Sequence, residues 1–180
     1  MKRSGSRFIR LAFLIATLCA VPPMSRSYAD DWPTKPDPAK TSGKTTGMSL
    51  DKICATQWGS DARHVTPQMK ANVTAEYHFD SSICPLTKFR GHFVHRAEID
   101  HLVPRSLGGA DDEANLWPEC YEPVNSDKSQ QADGANKKDR LEKELHRRVC
   151  NTKSVEKLHD YQTGFETDWL ELYHQIYGDD

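Results

Sequence analysis

Asp100 and His101 stand side by side in Glu98-Ile99-Asp100-His101-Leu102-Val103-Pro104-Arg105-Ser106-Leu107-Gly108-Gly109, and Asn115-Leu116-Trp117-Pro118 follows. A neutral imidazole can take a proton from water near pH 7. A hard divalent cation prefers oxygen ligands, keeps several waters and needs only one or two protein donors. Such an ion can polarise a phosphate and stabilise a leaving alkoxide. These residue types therefore supply what phosphodiester hydrolysis demands: an activated water, a sink for charge on phosphorus, and help for the departing oxygen. Singly, each has an ordinary explanation. A lone histidine is more often a satisfied structural residue, and Asp or Asn at a strand end is common turn chemistry.

The combination is more specific than its parts. An Asp-His pair ends a strand-like stretch, proline stands three residues after the histidine, a double glycine follows, and Asn115-Leu116 begins 14 residues after His101. In this order the segment resembles the HNH endonuclease family, whose fold is the ββα-metal module. Further on, Lys138-Asp139-Arg140-Leu141-Glu142, Leu145-His146 and Val149-Cys150 resemble an exported bacterial subgroup of that family. The resemblance spans roughly residues 53–178, with its specific motifs between Asp100 and Cys150.

The resemblance implies roles. Asp100 would be a metal ligand and His101 the general base. Neighbouring strand side chains point to opposite faces, and in the family a distortion at the strand end lets both address one phosphate. Asn115 would hold the loop between the strands and so set the angle of the histidine, a task suited to an amide that donates and accepts at once. The last family position falls on Asn136, a second metal ligand through its carbonyl oxygen, with Glu142 and His146 as alternatives. An oxygen donor there favours Mg2+ or Mn2+ over zinc. Arg105, Lys137, Lys138 and Arg140 adjoin these positions and could bind flanking phosphates. The activity implied is metal-dependent endonucleolytic cleavage of DNA, with RNA left open. No recognition module is visible, so low sequence specificity is expected. The rivals are a ββα frame that binds nucleic acid or protein without cutting, and a disulfide-stapled structural protein.

These residues need a scaffold, and the pattern predicts an α+β domain. Thr66-Pro67 starts a helix running to about Tyr77, a capping residue followed by proline at the first helical position. Phe93-Val94 and Ile99 to Val103 have strand character. Gly108-Gly109 makes a turn, and Asn115 to Trp117 reads as a short strand ended by Pro118. Tyr121 to Gly134 is polar and loop-like. From Ala135 a helix places Leu141, Leu145 and Val149 on one stripe. A last helix from about Ser154 carries Leu158, Tyr161, Phe165, Trp169, Leu172 and Ile176 toward a core. The expected organisation is a signal peptide over residues 1–29, a flexible leader over 30–48, and a nuclease domain over 49–180 with its ββα-metal core at about 98–150.

The first 29 residues show a basic start, an apolar run from Leu11 to Val21 and the small-x-small triplet Ser27-Tyr28-Ala29. This is an export pattern, and the run is too short to span a bilayer. Periplasmic or secreted localisation follows, with no membrane attachment after cleavage. The whole chain has 24 Lys+Arg against 26 Asp+Glu; loss of five basic signal residues leaves a formal charge of −7. A polyanion site must then be a local patch. Residues 136–148 offer basic side chains, and i,i+4 pairing on a solvated helix face explains them equally well. Cys54, Cys84, Cys120 and Cys150 remain, an even number that argues for two disulfides in an exported chain. Gaps of 29 residues or more argue against zinc, and all three connectivities stay open.

Overall fold

The computed structural model describes residues 33–57, 60, 62–123 and 134–178; the expected signal peptide lies outside the described residues. Helix α1 spans Leu50–Ala55 and α2 spans Pro67–Glu76. Strands follow: β1 (Leu86–Phe89), β2 (His92–His95), β3 (Ala97–His101) and β4 (Leu116–Cys120). Helices α3 (Ala135–Thr152) and α4 (Val155–Tyr177) complete the chain. β1 pairs with β2, and β3 with β4, both antiparallel, as two separate two-stranded sheets. Helices with small antiparallel sheets make an α+β fold.

Local rules explain most of these elements. Thr66 accepts from the Met69 amide at 3.2 Å and Pro67 opens α2, as the sequence predicts. Ser154 caps α4 by accepting from Lys157 N at 3.1 Å. Within α4 the backbone is non-helical at Asp168, whose Oδ1 accepts from Leu170 N and Glu171 N at 3.1 Å each and so caps the second half. Leu141, Leu145 and Val149 of α3 meet Leu158, Phe165, Trp169 and Leu172 of α4 in one core, with Ile53, Val103 and Leu107. Pro118 does not end a strand. It lies within β4, opposite Ile99. In a two-stranded ribbon its missing N–H can face away from the partner.

The described part of the expected leader, 33–48, is not a free tail. Gly43 N donates to Ala114 O at 3.0 Å, Thr46 N to Gly108 O at 2.8 Å, and Ala110 N to Lys44 O at 2.9 Å. Thr41 Oγ1 donates to Leu116 O at 2.7 Å, and Trp169 Nε1 donates to Thr34 O at 2.9 Å. The segment is a strap across the loop that joins β3 to β4, so the folded unit begins before Ser49. Its contacts are hydrogen bonds through backbone and polar side chains, which an apolar periodicity does not register.

Two disulfides settle the connectivity: Cys54–Cys150 with Cα atoms 5.3 Å apart, and Cys84–Cys120 at 5.4 Å. The first ties α1 to the end of α3. The second ties the approach to β1 to the end of β4. Such bonds fit an oxidising, non-cytoplasmic compartment. Among the described residues, no helix is long and apolar enough to cross a membrane.

Candidate active site

The loop between β3 and β4 is organised by one side chain. Asn115 is fully buried. Its Oδ1 accepts from Val103 N at 2.9 Å and Lys44 N at 3.3 Å. Its Nδ2 donates to Val103 O at 3.0 Å and Ala110 O at 3.1 Å. Leu102 N donates to the Asn115 carbonyl at 2.7 Å. The amide thus continues the ladder after β3 ends at His101, taking the place of a strand residue at Val103. The predicted strand stops two residues early for that reason. Gly109 closes the same loop: a Cβ there would lie 1.8 Å from Val103 O. Gly108 has φ +85°, the left-handed turn that the double glycine predicts.

His101 is 3% exposed and stands between two aspartates rather than in an apolar core. Its Nε2 lies 2.7 Å from Asp111 Oδ1. Its Nδ1 lies 3.9 Å from Asp100 Oδ1. The structure therefore brings the adjacent Asp100 and His101 side chains to one place, at the point where the chain leaves β3. Asp111 also accepts from His64 N at 2.7 Å and pairs with Arg105 Nε at 3.4 Å. Burial would raise its carboxyl, but the His64 amide, His101 and Arg105 outweigh that and hold it below the usual carboxylate range. An ionised Asp111 only accepts, so Nε2 carries the ring proton and Nδ1 is left as the basic nitrogen. The sequence reading missed Asp111. The signal was an aspartate in the polar run just after the double glycine.

On the other side, Glu98 and Glu119 are cross-strand partners, and Asp100 shares their face of the β3–β4 ribbon. Lys138 of α3 enters here, fully buried. Its Nζ lies 2.6 Å from Asp100 Oδ2, 2.7 Å from Glu142 Oε1 and 3.8 Å from Glu119 Oε2. Burial alone would lower the Lys138 ammonium; the three carboxylates together push it well above its ordinary value. Burial raises Asp100 too, but the Lys138 ammonium overcomes it and keeps this carboxyl ionised. Burial dominates for the other two: Glu142 is pushed up to about 7, and Glu119 well above the carboxylate range.

Four of the expected assignments need correction. Lys138 is not a surface cation for phosphate; it is the buried counter-ion of Asp100. Lys137 is also buried, with its Nζ 4.5 Å from the Tyr173 ring centre. His146 is not an alternative metal ligand at Asp100. Its Nε2 faces Ile53 O at 3.2 Å and Cys150 Sγ at 3.7 Å, beside a disulfide. Glu142 does face Asp100, but through Lys138. Arg140 is exposed, donating to Tyr173 Oη at 3.1 Å and stacking 4.3 Å from the Tyr177 ring. Arg105 is held next to His101 through Asp111 and donates to Ala62 O. Asn136 donates its amide to Glu122 Oε2 rather than to Asp100 or His101, which leaves its carbonyl oxygen as the atom for a ligand.

Among the described residues, no group of three or more His, Cys, Asp or Glu side chains is arranged to hold a metal ion. The donor chemistry fits a hydrated hard cation instead. Asp100 Oδ1, the oxygen not bonded to Lys138, faces His101 Nδ1, and Mg2+ or Mn2+ can bind through one or two protein oxygens. Compared with family models, curated proteins and solved structures, the chain gives no match.

Proposed function

We propose that the chain is an exported, metal-dependent endonuclease of the HNH type that hydrolyses phosphodiester bonds in DNA, with low sequence specificity. The observation that carries this reading is His101: buried, held at Nε2 by Asp111, and presenting Nδ1 toward Asp100 Oδ1 at 3.9 Å. The ordering β3, β4, α3 supports a ββα-metal core.

In this reading His101 Nδ1 takes a proton from water. The resulting imidazolium is stabilised at Nε2 by the Asp111 carboxylate, which stays ionised. The water oxygen forms a bond to phosphorus, and the bond from phosphorus to the leaving oxygen breaks. A divalent ion held by Asp100, with Asn136 as the candidate second donor, would stabilise the charge on phosphoryl and leaving oxygens. Arg105, fixed by the same aspartate that orients the base, carries positive charge to the phosphate. Asn115 touches no substrate; it positions the loop from which His101 departs.

Purified protein incubated with plasmid and Mg2+ or Mn2+ tests the reading. Cleavage that EDTA abolishes, and that His101→Ala loses while still binding DNA, supports it. Absence of cleavage with every divalent ion overturns it. The Lys138 ammonium on Asp100 favours the second reading, a ββα frame that binds without cutting. That reading predicts DNA binding unaffected by EDTA and no cleavage by the wild type.

A further inference from the structure

The β1–β2 hairpin plays no part in the chemistry above, and its composition sets it apart. From Ser81 to Arg96 there is no Asp or Glu, while Lys88, Arg90 and Arg96 are present with His92 and His95. The chain as a whole carries an excess of acids. The register pairs Lys88 with Phe93 and Leu86 with His95, so these four share one face. That face is open: Phe93 is 64% exposed and Leu86 49%. Thr87 on the opposite face is buried, so the hairpin has an inner and an outer side.

The hairpin is also firmly mounted. The Arg96 guanidinium stacks 4.3 Å from the Phe89 ring centre and 3.7 Å from that of Tyr121, and Cys84–Cys120 clamps its base. At the tip, Arg90 (φ 50°) and Gly91 (φ 86°) make the two-residue turn. Asn-Gly is the favoured pair for such a turn, because both central residues take positive φ. Arginine at the first position carries conformational strain, and among the described residues its one contact is a 5.1 Å approach to the Phe89 ring.

We infer that this hairpin is a DNA-binding arm, whose outer face and Arg90 tip engage duplex DNA beyond the cleavage centre. A two-stranded ribbon fits the major groove, where Phe93 can meet base methyl groups while Lys88 and Arg90 reach phosphates. Charge selects this occupant: an acid-free basic ribbon on a net acidic chain complements a polyanion. Arg96, at the root, stands five residues before His101. An extended strand of that length covers at most about 16 Å, or about five base pairs, so the root of the arm lies within a short duplex's reach of the proposed centre. The inference rests on the nuclease reading for its substrate, but not on catalysis.

The test is fluorescence anisotropy with a labelled DNA duplex in EDTA across a salt series. Lys88→Thr/Arg90→Asn should bind at least about tenfold more weakly at low salt, with the log–log salt slope shallower by about 2. Its melting temperature should be unchanged or higher, since Asn suits the turn. Phe93→Thr should weaken binding without altering the slope. Wild-type affinity and slope retained in the charge variant would overturn the arm, as would a wild type that binds no duplex. Salt-independent binding lost only in Phe93→Thr would overturn it too, assigning the face to an apolar partner. If the wild type fails to cut with Mg2+ or Mn2+ yet binds through the hairpin, the catalytic reading falls and the arm stands.

Discussion

His101 Nε2 and Asp111 Oδ1 stand 2.7 Å apart, and that bond decides which imidazole nitrogen is free to work. The carboxylate fixes the tautomer and the ring plane, and in the proposed reaction it would balance the positive charge that develops when Nδ1 takes a proton. Arg105 draws on the same oxygen at 3.4 Å, so the proposed base and its neighbouring guanidinium are positioned by one group.

Replacing Asp111 with Asn keeps the shape and removes the charge. An amide can also donate to Nε2, which favours the wrong tautomer, as in serine-protease triads. Cleavage should fall roughly 10²- to 10⁴-fold, while duplex binding in EDTA is retained. Single-turnover rates with Mg2+ check this; an unchanged rate would remove Asp111 from the mechanism.

The same substitution has a stability signature in acid. Asp111 is held below the ordinary carboxylate range in the fold. A lowered carboxyl contributes stability that is present above its unfolded value, about 3.9, and is lost as pH falls through the folded one. Wild type and Asp111→Asn should therefore differ most in unfolding free energy above about pH 5 and converge below about pH 4. Urea titrations across that range provide the measurement.

Asn115→Ala tests the loop clamp. The substitution strands Val103 N and Val103 O inside the protein, along with the groups at Lys44 and Ala110. Buried polar groups left unpaired cost about 1–3 kcal/mol each, so a loss of about 3 kcal/mol or more is expected. Cleavage should fall beyond what the stability loss explains, because His101 loses the loop that follows it.

The disulfides should rank by the chain they close. Cys54–Cys150 spans 96 residues and Cys84–Cys120 spans 36. Loop-closure entropy makes the longer cross-link worth about 1 kcal/mol more. Paired Cys→Ser variants, compared by denaturant unfolding, should show Cys54/Cys150 as the larger loss.

How much of this was legible depends on what kind of contact carries each feature. The helices announced themselves because Leu141, Leu145 and Val149 recur with the period of the backbone. Asp100, His101 and Asn115 stood out by type and order, and they are indeed gathered at the β3–β4 loop. The strap 33–48 was missed because it is held by hydrogen bonds from backbone and polar side chains to distant segments, and these leave no apolar period in the sequence. Lys138 was misread because a lysine in a basic run normally lies in solvent; only the fold brings Asp100 and Glu119 of the β3–β4 ribbon to it, beside Glu142 one turn on in α3. Asp111 bonds to His101 across a loop whose path depends on Gly109 and Asn115, so neither spacing nor periodicity could reveal the pair.

Lys138 yields the sharpest last test. Lys138→Ala leaves Asp100, Glu142 and Glu119 buried around a lost ammonium. Removing one partner from a buried ionic cluster costs about 3–5 kcal/mol, so the melting temperature should drop steeply. Asp100 would then keep both oxygens for a cation. Mg2+ should raise the melting temperature of Lys138→Ala more than that of the wild type, because an ion bound only by the folded state stabilises it by mass action. Lys138→Gln, which keeps a hydrogen-bond donor, should lose less stability and show the same ordering with Mg2+. If Mg2+ shifts all three proteins equally, Asp100 is not where the ion binds, and the proposed metal-assisted mechanism loses its ligand.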